Sequence, residues 1–162
     1  MSVSVQLRPV TPEDERFLYE LYRNTREEEM ASWGWTAAQR EAFLKMQYTA
    51  QSQSYGAMFP EADHHIIMVE NRPVGRIWVD RRGPRFVLID IALLSSVRRQ
   101  GIGGQLLQAL QAEASREGKP VRLQVFPNNP ARRLYERLGF HCVGSDGVRL
   151  DMEFRDAETS PS

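Results

Sequence analysis

Two arginines, a glutamine and three glycines stand close together in Arg98-Arg99-Gln100-Gly101-Ile102-Gly103-Gly104. Before them runs Phe86 to Leu94, apolar except for Asp90, which reads as a mostly buried strand. After them Leu106, Leu107, Leu110 and Ala114 recur at helical spacing. The group therefore sits where a strand turns into a helix. The first turn of a helix carries N–H groups without intrahelical partners, and the aligned peptide dipoles make that end positive. Glycine lets a ligand approach the main chain closely. The combination is an anion site, most naturally for a phosphate or pyrophosphate. A tight glycine-rich turn would use the same glycines, but it leaves Arg98 and Arg99 at the wrong end of the dipole unless an anion is present. The loop lacks the last glycine of the dinucleotide fingerprint and the Lys-Ser/Thr of a P-loop.

The elements that must hold this loop can be read in order. Val3, Val5 and Leu7 alternate with polar residues as a first strand. Thr11-Pro12-Glu13-Asp14 starts a helix whose buried stripe is Phe17, Leu18, Leu21 and Tyr22. Thr36 to Gln39 has a capping-box pattern and predicts a second helix to about Gln53, with Tyr55 to Pro60 as loop. Ile66 to Glu70 and Val74 to Asp80 form an antiparallel hairpin across Asn71-Arg72, and the strand before the glycine loop extends this meander. The pattern then changes. A helix from about Ile102 to Glu117 and a strand from Val121 to Phe126 make a crossover unit with parallel strands. Asn129 caps, and Pro130 begins, a helix with Leu134, Tyr135 and Leu138 inward. Phe140 to Val143 and Val148 to Phe154 are the last strands, and the tail 157–162 is expected to fray. The expected architecture is an α/β mixed sheet with about four helices, in one domain over 1–162.

Basic and acidic residues balance at 21 each in a chain of 162, which gives no field toward nucleic acid or an anionic membrane. No apolar run is long enough to span a bilayer, and the start of the chain lacks a signal-peptide pattern, so a cytoplasmic protein is expected. Cys142 is the one cysteine, and His64-His65 lacks partners at metal-ligand spacing, so neither a disulfide framework nor a metal is expected.

Arg98-Arg99-Gln100-Gly101-Ile102-Gly103 is similar to the (Arg/Gln)-x-x-Gly-x-(Gly/Ala) signature of the GCN5-related N-acetyltransferases (GNAT). Asn128-Asn129-Pro130-Ala131-Arg132-Arg133-Leu134-Tyr135-Glu136-Arg137-Leu138-Gly139-Phe140 resembles that family's Asn-x-x-Ala-x-x-Leu-Tyr-x-x-x-Gly-Phe stretch. The close match covers about Val74 to Phe140. The resemblance implies acetyl-CoA as cosubstrate, its pyrophosphate held by N–H groups from Arg99 to Gly104, with Arg98, Gln100, Gly101, Ile102 and Gly103 in the loop. It implies that the strand at Ile91 to Leu94 bulges and splays from its parallel neighbour, so that Ile91, Ala92 and Leu93 line the pantetheine arm. The Leu93 N–H then polarises the thioester carbonyl. Asn128 and Ala131 lie on the pantetheine side, and Tyr135 lies near the sulfur. A phenol of pKa near 10 can protonate a departing thiolate of pKa about 8.5.

The family often carries a glutamate on the fourth strand as base, and here Asp90 is the only acid of that strand. It is the candidate base, or a structural acceptor for nearby arginine or backbone N–H groups. The amine pocket is expected between the first two helices and the sheet, with Glu29, Trp33 and Tyr55 as substrate residues, because acids with aromatics suit a cationic amine. Cys142 has no evident activating base, so direct transfer to a primary amine in a ternary complex is expected. A small-molecule acceptor, a protein N-terminus or lysine, and a non-catalytic coenzyme-binding module are the readings to separate. A homodimer is implied by the family alone.

Overall fold

The computed structural model describes residues 4–156, except for the side chains of Glu28 and Glu29; the expected frayed tail lies outside them. Seven strands form one sheet in the order β1-β2-β3-β4-β5-β7-β6. The strands are β1 (Val5–Pro9), β2 (Asp63–Val69), β3 (Arg72–Asp80), β4 (Phe86–Leu93), β5 (Val121–Val125), β6 (His141–Ser145) and β7 (Leu150–Phe154). The α-helices are α1 (Glu15–Ala31), α2 (Ala37–Met58), α3 (Ile102–Arg116) and α4 (Ala131–Arg137). As expected, β1 to β4 are an antiparallel meander, while β4 and β5 are parallel across α3. The hairpin between β2 and β3 turns on Glu70 and Asn71, both left-handed at φ 51° and 64°. That is the turn whose twist matches the flanking strands. None of the helices is long and apolar enough to cross a membrane among the described residues.

Two cores hold the layers. Ile67, Ile77, Val79, Leu88, Leu123 and Met152 from the sheet pack with Leu107, Leu110 and Tyr135 of α3 and α4. On the opposite face Ile66 meets Leu18, Tyr22, Leu44 and Tyr48 of α1 and α2. The helix α2 corrects one expectation, because it continues past Gln53 to Met58 and carries Tyr55 within it. A single glycine at 56 costs a helix only about 1 kcal/mol and does not end it, and the first proline comes at Pro60. Tyr55 is held by an edge-to-face contact with Trp78 of β3, with ring centroids 5.5 Å apart.

Gly75 marks the tightest approach in the sheet. A Cβ there would collide with the Ala92 carbonyl oxygen and lie 2.9 Å from Leu93 Cδ2. Gly75→Ala is therefore expected to cost about 1–3 kcal/mol of stability, as overpacking does. Urea unfolding that matches the wild type would show that β3 and β4 are less closely opposed.

His64 stacks on Trp78 with centroids 4.2 Å apart and planes 7° apart, and its Nε2 is buried without a partner. Burial, and then the Arg76 charge, push its pKa from 6.5 down to about 4. The folded state thus keeps His64 neutral where the unfolded chain binds a proton. Its contribution to stability is complete above pH about 6.5 and is lost as pH falls toward about 4. His64→Phe keeps the stack and removes the titration, so the fall in stability across that window should become shallower. An unchanged slope would assign the acid sensitivity to other groups.

Candidate functional site

The site is built where β4 leaves β5. Their parallel pairing runs through Phe86↔Val121, Val87↔Arg122 and Leu88↔Leu123 and then stops, so Ile89 to Leu93 diverge. On its other edge β4 stays with β3, where Val79 pairs with Leu88 and Trp78 with Asp90. Ile89 is the extra residue of a bulge. The irregularity falls earlier than the expected stretch of Ile91 to Leu94, and its position has a consequence. Residues two apart on a regular strand share a face. Leu88 faces the α3 core, yet Asp90, two residues on, pairs with Trp78 on the α1–α2 face. The bulge takes a carboxylate out of an apolar core.

It also directs the main chain. Leu94 N–H donates to the Val74 carbonyl at 2.8 Å. Alternation along an antiparallel ladder then turns Leu93, like Ile91, away from β3 and toward the side that β5 has left. Ala92 pairs with Arg76 and points back into the ladder. The Leu93 carbonyl accepts from Arg98 Nε at 3.2 Å.

The glycine loop follows through a 3₁₀ turn, Ser95–Val97, whose Ser95 N–H donates to Asn24 Oδ1 of α1 at 2.8 Å. Arg99 adopts φ 66° and Gly101 φ 80°. The first hydrogen bond of α3 runs from Gln105 N–H to the Gly101 carbonyl at 3.0 Å, so the N–H groups of Ile102, Gly103 and Gly104 precede the helical ladder. Arg98, Arg99, Gln100 and Gly101 are exposed beside them. A Cβ on Gly103 would meet Leu134 at 3.7 Å and Leu93 at 3.8 Å, and one on Gly104 would meet Leu134 at 3.8 Å. These are ordinary contacts. Packing within the chain does not demand glycine at either position.

Across the gap, Ala131 N–H donates to Asn129 Oδ1 at 2.9 Å, the expected cap of α4. Asn128 is exposed just before it, and Ala131 is half-buried in its first turn. Tyr135 is 7% exposed and packs edge-on against Phe140, with centroids 5.7 Å apart. Burial first, and then the negative charge of Asp90, raise its phenol well above the ordinary 10. It is a proton holder at neutral pH.

On the α1–α2 face a buried guanidinium organises the acid. Arg76 is 4% exposed, donates from Nε to Asp90 Oδ2 at 2.8 Å, and brings an Nη to the same oxygen at 2.8 Å. Its Nη2 also donates to Gln51 Oε1 of α2 at 3.0 Å. Asp90 Oδ1 takes none of these bonds. Tyr55 lies over Trp78, next to this pair. Tyr55, Asp90 and Tyr135 are thus brought together from α2, β4 and α4. Trp33 is not, because its ring contacts are Trp35 and Phe43 in a cluster of the α1–α2 connection. Glu29 lies on α1, and its side chain is outside the described residues. Sequence reasoning passes over Arg76, Gln51 and Trp78. The signal for Arg76 is present as the one charge between Val74 and Val79 of an otherwise apolar strand. No group of three or more His, Cys, Asp or Glu is arranged to hold a metal among the described residues.

Comparison with known proteins agrees with this geometry. A search of curated proteins gives no match. Among solved structures, the PaiA N-acetyltransferase of Thermoplasma acidophilum in complex with coenzyme A superposes with a TM-score of 0.72 at 19% identity, over 94% of this chain and 99% of that one. An acetyltransferase of Thermus thermophilus gives 0.68 at 20% identity, over 96% and 100%. A Corynebacterium glutamicum protein described as histone acetyltransferase HPA2 and related acetyltransferase gives 0.67 at 22%, over 100% and 99%. At such identities these likenesses establish the fold. Residues 16–140 match the sequence model of the acetyltransferase (GNAT) family, so the chain with the splayed strands and the glycine loop belongs to that family and is an N-acetyltransferase.

Proposed function

We propose that this protein transfers an acetyl group from acetyl-CoA to a primary amine by direct attack in a ternary complex, with a small molecule as acceptor. The observation that carries the reading is the parting of β4 from β5 after Leu88, with the bare N–H groups of α3 at one end of the gap and Tyr135 at its side. The residues fit the cosubstrate. A pyrophosphate would rest on the N–H groups from Arg99 to Gly104, flanked by Arg98 and Gln100, and the glycines at 103 and 104 leave room that no neighbouring side chain needs. The pantetheine amides would pair with Ile91 and Leu93 as an added strand does, with Ala92 behind them and Asn128 and Ala131 opposite.

Bound there, acetyl-CoA supplies an activated acyl group. The chain supplies orientation and protons. The Leu93 N–H, directed to the open side, donates to the carbonyl oxygen as negative charge grows on it. Asp90 Oδ1 faces the incoming ammonium and removes its proton, directly or through water, while Arg76 holds the other carboxylate oxygen. As the C–N bond forms and the C–S bond breaks, Tyr135 protonates the departing thiolate and recovers a proton as the new amide nitrogen sheds its second one. Burial keeps that proton on Tyr135 until it is needed. Cys142 lies on β6, at the edge of the sheet two strands beyond β5, and its thiol donates to the Gly144 carbonyl at 3.4 Å. Its distance from the gap favours direct transfer over an acetyl-cysteine relay. The half-buried setting of Asp90 and Tyr55 favours a small amine, and a protein N-terminus or lysine is the second reading.

Acetyl-CoA is expected to raise the melting temperature in proportion to the logarithm of its concentration, and NAD is expected to leave it unchanged. Absence of a shift with acetyl-CoA would remove the coenzyme from this site. Tyr135→Phe should lower kcat by about a hundredfold, within the range that general acids contribute. Acetyl-CoA affinity should stay near the wild-type value. A variant that turns over at the normal rate would take the acid role away from Tyr135.

A further inference from the structure

One cation at the mouth of the gap is unused by the reaction as described. Leu150 of β7 pairs with Val125, the last residue of β5, so Arg149 stands just beyond the end of β5, where the gap opens. Leu150 and Met152 face the α3 core. Alternation sets Asp151 and Glu153 on the other face, the face that carries Arg76 and Asp90, and Arg149 precedes β7 in the bend that leads into it. The neighbouring acids have their own partners. Gln124 donates to Asp151 at 2.9 Å, and Arg122 and Arg155 each reach Glu153 at 3.4 Å. Asp146, in the turn before Arg149, accepts from the N–H groups of Val148 and Arg149 at 2.9 Å and 2.6 Å. Arg149 itself is half-buried, and its guanidinium takes no hydrogen bond or ion pair among the described residues. Tyr55 reports its proximity. Burial and the Asp90 charge raise that phenol, and the Arg149 charge opposes them. Tyr55 thus feels the charge of both an acid with one oxygen outside the Arg76 pair and an arginine whose guanidinium is without a hydrogen bond or ion pair among the described residues.

We propose that the acceptor is a primary amine that also carries a carboxylate, a small amino-acid-like molecule, with its amino group turned to Asp90 and its carboxylate received by Arg149. This rests on the acetyl-transfer reading and names the acceptor class for the same site. A guanidinium offers a planar pair of donors that matches a carboxylate. A molecule with opposite charges at its two ends would meet the opposite charge at each side of Tyr55. A plain alkylamine or an aminoglycoside-like polycation would leave Arg149 unmatched and repelled.

The test is steady-state acetyl transfer to amino acids, each paired with the carboxamide that differs from it only in losing the negative charge. Rates are referred to the free-amine fraction, because the carboxamide lowers the amine's own pKa. The wild type is expected to prefer the carboxylate by about tenfold or more in kcat/KM, as a charge-assisted pair would give. Arg149→Gln should bring that ratio close to one, chiefly through KM for the carboxylate, and Arg149→Lys should restore part of it. Three results would overturn the inference. The wild type could accept the carboxamides equally well. Arg149→Gln could lower both rates in proportion, which marks a structural role. Every carboxylate-bearing amine could stay silent while acetyl-CoA still raises the melting temperature, and that outcome would leave the coenzyme reading standing. Loss of the acetyl-CoA shift itself would count against the reading beneath.

Discussion

A single extra residue in β4 decides what this sheet can do. A strand with core residues on one face must keep strict alternation, and Ile89 breaks it. Before the bulge, Phe86 and Leu88 pack into the α3 core and pair with β5. After it the strand keeps β3 and loses β5. A bulge bends a strand and increases its local twist, and the partner on the far side does not follow. The result is a strand edge inside a seven-stranded sheet. Unpaired ladder groups are costly when buried and prone to pairing when exposed. Most proteins cover such edges, whereas this chain leaves one open at the point where its glycine loop and Tyr135 converge. An extended ligand with amide groups satisfies those positions, and the catalytic reading follows from the same bulge that makes the gap.

The charges near the gap are arranged as strictly as the backbone. Arg76, buried at 4% exposure, could not remain in the sheet without an anion, and Asp90 with Gln51 supplies the acceptors. Asp90 in turn owes its place on that face to the bulge, since a regular strand would have sent it into the core beside Leu88. The carboxylate acts on two phenols, Tyr55 beside it and Tyr135 on α4. It adds to burial in holding the Tyr135 proton, and it adds to burial in holding the Tyr55 proton. Burial first, and the Asp90 charge after it, thus act in the same direction on both phenols.

The legible parts of this protein are those written in local signals. The cap of α4 by Asn129 and the capping box of Thr36 and Gln39 each depend on a few adjacent residues, whereas the hairpin turn falls one residue earlier than Asn71-Arg72, on Glu70 and Asn71. The glycine loop belongs with them in place, between β4 and α3 with its turn on Arg99 and Gly101, and the anion proposed for it is read from the same glycines. The end of α2 is hidden because a polar stretch with one glycine resembles a loop. What holds Tyr55 in helix is a contact with Trp78 that no local pattern contains. The bulge at Ile89 is legible in kind but not in place. An apolar run such as Phe86 to Leu94 looks the same in sequence wherever its alternation breaks, and only the faces of Leu88 and Asp90 reveal the position.

The same distinction separates donor from acceptor. Much of the recognition proposed for the coenzyme uses main-chain groups or room made by glycine within two short stretches, so the sequence constrains it through spacing and leaves a motif. The acceptor side, as proposed, draws on side chains from four separate places, β3 with Arg76, β4 with Asp90, α2 with Tyr55, and the bend before β7 with Arg149. No spacing rule links them. Tyr55 and Arg149 can be exchanged without moving a strand or disturbing the loop, because neither is deeply buried, whereas Arg76 and Asp90 hold each other in place. A fold organised in this way can retain one acyl donor and change its amine by single substitutions around the gap. Arg76 is the exception that ties the two halves together. It supports the carboxylate proposed to meet the amine, and its own place is on the strand pair β3–β4 that borders the gap.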